Sequence, residues 1–181
     1  MTKDLNLSEI LDARWLPYLE NTISSLPDAQ KYLTSSRRRM FPKLENTFKA
    51  LELTSPEDCT VVIFGQDPYP REESAIGISF CDGAIRRWSD PTCPSLRNIF
   101  KNLLIDAGKL NAKSKVEDLR KAMINLKMVP PYQWFFEVAK QGVLWLNTSL
   151  TFTSNVFYFS LLIFSSYIFI CLLSSSLYSF T

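Results

Sequence analysis

Two short, unbroken apolar runs constrain this chain more than any other feature. Cys59-Thr60-Val61-Val62-Ile63-Phe64 and Val143-Leu144-Trp145-Leu146 are too short to be buried helices, and the first is rich in β-branched residues. Continuous rather than alternating apolarity suits parallel strands buried on both faces. Between the runs lie a long loop over 65–94 that is rich in Pro and Gly, then a helical stripe of Leu96, Ile99, Phe100, Leu103 and Leu104. Ser95 is placed to cap that helix and Gly108 to close it. A charged stretch, 109–127, separates it from a second helix over Trp134 to Lys140 that stops at Gly142. Upstream, Asn6 and Glu9 form a capping pair for a helix through Leu11, Trp15 and Leu19, which Pro17 should break or kink. After a polar connector, Ser35-Ser36-Arg37-Arg38-Arg39, the residues Leu44, Phe48 and Leu51 recur at helical spacing until Thr54-Ser55-Pro56. Strand, helix, helix, strand implies an α/β domain, a parallel sheet flanked by helices, whose ligand site lies beyond the carboxyl ends of the strands.

At 181 residues the chain has room for one domain. Its 20 Lys and Arg nearly balance its 18 Asp and Glu, so any nucleic-acid binding must come from a local patch. Candidate patches are Arg37-Arg38-Arg39 and Arg86-Arg87 beside Trp88, although a charge run is more often solvated surface. There is no histidine, which excludes imidazole-based triads, Cys₂His₂ zinc and imidazole-ligated haem. Cys59, Cys81, Cys93 and Cys171 show no metal-ligand spacing and are expected as free thiols, so no metal site is expected. The amino terminus carries an early acid and no apolar signal region, which makes an intracellular location the default.

Both apolar runs end in polar residues. The first ends Gly65-Gln66-Asp67-Pro68-Tyr69-Pro70 and the second Asn147-Thr148-Ser149-Leu150, which brings an amide, a carboxylate, a phenol and a second amide to one sheet edge. On residue type alone, Asp67 is equally a turn residue, Phe80 a core residue and Pro94-Ser95 a helix cap. Taken together, Gly65-Gln66-Asp67-Pro68-Tyr69, Gly77-Ile78-Ser79-Phe80, Pro94-Ser95-Leu96 and Gly142 to Thr151 resemble, in order and spacing, the successive motifs of the family 1 uracil-DNA glycosylases. The resemblance covers roughly residues 41–153.

What it implies is a DNA-repair glycosidase that excises uracil and leaves an abasic site. By resemblance, Asp67 orients the attacking water and stabilises an oxocarbenium-like cation. Gln66 lines the pocket, Tyr69 crowds C5 against thymine, Phe80 stacks on the flipped base and Asn147 reads its edge. Pro94 and Ser95 grip the flanking phosphate at a helix start. The implied partner is uracil-containing DNA, single- or double-stranded, bound by a monomer away from membranes. No metal or organic cofactor is implied. The compartment would be bacterial cytoplasm, or a nucleus or mitochondrion.

The chain also departs from the family. Pro70 stands where the family's first motif ends in histidine, and the later strands with their His-Pro-Ser loop have no counterpart. The sheet is therefore expected to stop after its second core strand, with an incomplete domain over 1–153. From Ser154 the sequence is almost all Ser, Phe, Leu, Ile and Tyr, and nothing after Lys140 is charged. These residue types have T-rich codons, so a frameshift or retained intron is the expected origin of a 154–181 tail. The alternatives are a non-catalytic uracil- or DNA-binding remnant, and a membrane anchor over 156–173, a run just long enough to span.

Overall fold

The computed structural model describes residues 10–19 and 39–153. Asn6, Glu9, Arg37, Arg38, Cys171 and the 154–181 tail, with its anchor alternative, lie outside the described residues. Among those described, no helix is long and apolar enough to cross a membrane.

The two apolar runs do form parallel partners. Strand β2, Val61–Gly65, pairs with β3, Val143–Asn147, in a register that sets Val61 beside Val143 and Gly65 beside Asn147. A second pair, missed in the sequence, joins β1, Met40–Phe41, antiparallel to β4, Phe152–Thr153. Two residues are too few to show a strand period.

The period-two geometry of β3 divides the core. Leu144 and Leu146 point to one side, against Trp15, Leu19, Phe48 and Leu51, with Val62 and Phe64 of β2 joining them. Trp145 points to the other, against Phe135, Phe100 and Leu96, together with Ile63. Helices therefore cover both faces of a parallel pair, as the α/β reading requires. Strand β2 is a correction to the expectation of burial on both faces. Val61 is 48% exposed and the rest of β2 is half-buried, whereas β3 is almost wholly buried. Among the described residues each strand has one paired edge, but the other edge of β3 is covered by a loop segment that donates Ser79 N–H to Trp145 O at 3.1 Å, which accounts for the difference.

The helices also differ in detail from the sequence reading. Residues 10–15 are turns and only 16–19 are helical, so Pro17 sits in a first turn, where its missing N–H costs nothing. The 44–53 pattern splits into a 3-10 turn, Leu44–Asn46, and helix α1, Lys49–Leu53. Helix α2 runs Pro94–Asp106, and its cap is Cys93 rather than Ser95, with the Cys93 sulfur accepting from Leu96 N–H at 3.4 Å. Its exit follows the expected glycine closure. Gly108 takes φ +67°, its N–H reaches Ile105 and that of Lys109 reaches Leu104, a Schellman arrangement.

The charged stretch contains a helix the sequence reading left out, α3, Val116–Asn125. Only Leu119 and Met123, one turn apart, are buried on it, and the polarity of the other positions hides that stripe. Helix α4 spans Pro131–Ala139, three residues earlier than expected because Pro131 opens it.

Candidate functional site

The loop between β2 and α2 folds back onto the carboxyl end of the sheet. Beyond the last paired residues, Thr148 N–H donates to Gly65 O at 2.9 Å and Ser149 N–H to Gln66 O at 3.0 Å. Thr148 Oγ1 also donates to Gln66 O at 2.8 Å. These bonds extend the ladder past the strands and lock the turn carrying Gln66 and Asp67 beside Asn147. Gly65 is a point of close approach. A Cβ on it would stand 2.0 Å from Ser79 Oγ and 2.5 Å from Asn147 Oδ1, so a hydroxyl and an amide occupy the space of the absent side chain. Asn147 is 8% exposed, and among the described residues neither its amide nor the half-buried Asp67 carboxylate makes a hydrogen bond.

The Gly77–Phe80 segment closes the other side. Ser79 N–H donates to Trp145 O at 3.1 Å, docking the segment on the outer edge of β3. Gly77, at φ +78°, presses on the 3-10 turn, and a Cβ there would lie 1.8 Å from Asn46 O. Phe80 follows with φ +61°, a left-handed conformation that strains any side chain bearing a Cβ. Its ring meets Trp145 edge-on at 6.1 Å, and its carbonyl lies 3.4 Å from the Tyr69 hydroxyl. That hydroxyl is also 3.5 Å from Cys93 Sγ, one residue before Pro94 and Ser95, which are exposed at the start of α2.

The fold brings Gln66, Asp67 and Asn147 to one sheet end, where Gln66 and Asp67 leave β2 and Asn147 ends β3. Phe80 meets Trp145 of β3, Tyr69 reaches Phe80 and Cys93, and Pro94 and Ser95 follow Cys93 in the chain. In the Arg86-Arg87-Trp88 patch only the arginines face solvent. Trp88 is buried and its indole N–H donates to Val129 O at 2.7 Å, so it serves the core, while the two arginines are exposed. Ser79 and Cys93 adjoin the candidate site residues, a proximity that sequence reasoning missed. A small residue between Ile78 and Phe80 and a thiol before a proline carry no signal until the loop is folded.

Burial raises the pKa of Cys81, helped by the Asp82 charge, to about 12, and raises that of Tyr69, with a contribution from the Cys93 bond. Both groups hold their proton more tightly folded than unfolded. The stability this gives is fully present below pH 9.0, the ordinary thiol value, and is lost as pH rises toward 12. A lower denaturant midpoint at about pH 10 than at about pH 8, partly restored by Cys81→Ala, is the expected result.

No protein-family model matches the chain. A uracil-DNA glycosylase of Desulfitobacterium hafniense is 38% identical over 122 residues, 67% of this chain and 44% of that protein. One from Aliivibrio fischeri is 35% identical over 147 residues, 81% of this chain and 55% of its own length. The chain spans about half the length of the curated relatives it matches. Among solved structures, the wild-type UNG of Nitratifractor salsuginis matches with TM-score 0.66 at 27% identity, over 82% of this chain and 66% of that one. The mimivirus uracil-DNA glycosylase shares the fold, with TM-score 0.68 at 24% identity over 93% and 59%.

Proposed function

This chain is related in sequence and in fold to the uracil-DNA glycosylases, and on that premise we propose that it excises uracil from DNA in base-excision repair. The observation that carries the reading is the register setting Gly65 beside Asn147, which brings the Asp67 turn to an amide that is unengaged among the described residues. A base inside a duplex is out of reach, so the nucleotide must be flipped out toward this sheet end, with Pro94 and Ser95 at the start of α2 holding the flanking phosphate. The Asn147 amide accepts from uracil N3–H and donates to O4. Cytosine offers the reverse pattern and leaves the buried amide mismatched. Tyr69, fixed near Phe80 and Cys93, forms a wall where a C5 methyl would collide, and Phe80 supplies a stacking face.

Water directed by Asp67 then attacks the anomeric carbon as the bond to the base nitrogen breaks. The carboxylate stabilises the cationic sugar and takes the water's proton, and uracil departs as an anion. DNA is the partner, and the compartment is one that holds it: bacterial cytoplasm, nucleus or mitochondrion.

A second reading follows from one observation. These 181 residues contain no histidine, so no imidazole supports the departing anion, and losing one such donor costs about 10²–10³ in rate. The site would then hold a base without cleaving it.

Incubation of the full chain with labelled single-stranded oligonucleotides carrying one uracil, cytosine or thymine separates these readings. Alkali-labile breaks at uracil alone are expected. Uracil-dependent binding with no breaks would favour the second reading, and neither binding nor breaks would overturn both.

A further inference from the structure

Cys93 has no part in the reaction proposed above, yet it touches two of its components. Its half-buried thiol is free, and the sulfur caps α2 through Leu96 N–H at 3.4 Å. The same sulfur stands 3.5 Å from the Tyr69 hydroxyl, which lies 3.4 Å from the Phe80 carbonyl. One atom therefore joins the turn that carries Asp67 to the helix that begins at Pro94-Ser95. The single proton of the Tyr69 hydroxyl has an acceptor on each neighbouring segment, at 3.4 and 3.5 Å, so its ring cannot swing away without leaving both.

We propose that Cys93 is a positioning residue that holds the Tyr69 ring as a rigid wall of the base pocket and so sets how completely thymine is excluded. What the wall excludes rests on the uracil-excision reading; the joint itself does not. Burial and the sulfur contact both keep the phenol protonated, so it remains a donor across the neutral range. A cap alone would leave base preference untouched. A wall support would change preference while leaving the catalytic carboxylate in place.

Thymine and uracil release from single-stranded oligonucleotides by the full chain and its Cys93→Ala variant reads this directly. The thymine-to-uracil ratio should rise by about fivefold to tenfold, the size of one net hydrogen bond, and Cys93→Ser should bring it back to within about twofold. A second measurement needs no activity: iodoacetamide labelling of Cys93, located by peptide mass mapping. Tyr69→Phe, which keeps the ring and removes the hydroxyl, should speed that labelling while circular dichroism stays unchanged. An unchanged ratio in folded Cys93→Ala, with both bases slowed alike, would overturn the proposal, as would labelling indifferent to Tyr69→Phe. If the folded parental chain released no uracil, the functional reading would fall, and the labelling rates would still decide the joint.

Discussion

Asp67→Asn is expected to slow uracil release by about 10²–10⁴-fold, the range for a positioned acid or base, while affinity for a uracil-containing oligonucleotide stays within about threefold. The amide matches the carboxylate in shape but can neither take the water's proton nor oppose the sugar's positive charge. Asp67 is half-buried and makes no hydrogen bond among the described residues, so its replacement leaves no buried partner stranded and should not change the melting temperature. Single-turnover release beside fluorescence anisotropy separates the two effects. Loss of binding equal to the loss of rate would mean that Asp67 holds the turn and takes no part in the chemistry.

Gly65→Ala should damage both the packing of the sheet end and the candidate site. The added carbon would meet Ser79 Oγ at 2.0 Å and Asn147 Oδ1 at 2.5 Å, and Ser79 is 1% exposed, so neither neighbour has open space to enter. Overpacking of this kind costs about 1–3 kcal/mol, but activity should fall further, by at least about 10²-fold, because the atom displaced belongs to the amide proposed to read the base. A double variant divides the two losses. Ser79→Ala removes the nearer overlap, so Gly65→Ala with Ser79→Ala should regain most of the stability measured by urea unfolding. It should regain little uracil release, since the conflict with Asn147 remains. Full recovery of release would mean that the Asn147 position is not critical.

The sheet was legible in the sequence because it is made of uninterrupted apolar runs, and so was the meeting of Gln66, Asp67 and Asn147 at one sheet end, because both runs end in unusual polar residues. Helix α3 was not, since its two buried residues are diluted by charge, and the β1–β4 pair was too short to carry a period. The cap of α2 was misassigned to Ser95 because a hydroxyl is the commoner cap. The structure shows the Cys93 sulfur accepting from Leu96 one position before Pro94, and Ser95 left exposed. The left-handed Phe80 was equally hidden. Nothing in Ile78-Ser79-Phe80 announces a positive φ, which follows from docking the segment between Trp145 and Tyr69. Sequence patterns report burial and turn chemistry, whereas these features come from long-range contacts.

The most direct test of the account is chromatographic detection of free uracil after the folded 181-residue chain is incubated with a single-stranded uracil-containing oligonucleotide, with Asn147→Ala alongside. The account predicts uracil above background from the parental chain and none from the variant. Soluble, folded parental chain that releases no uracil, or an Asn147→Ala variant that releases as much as its parent, would contradict it.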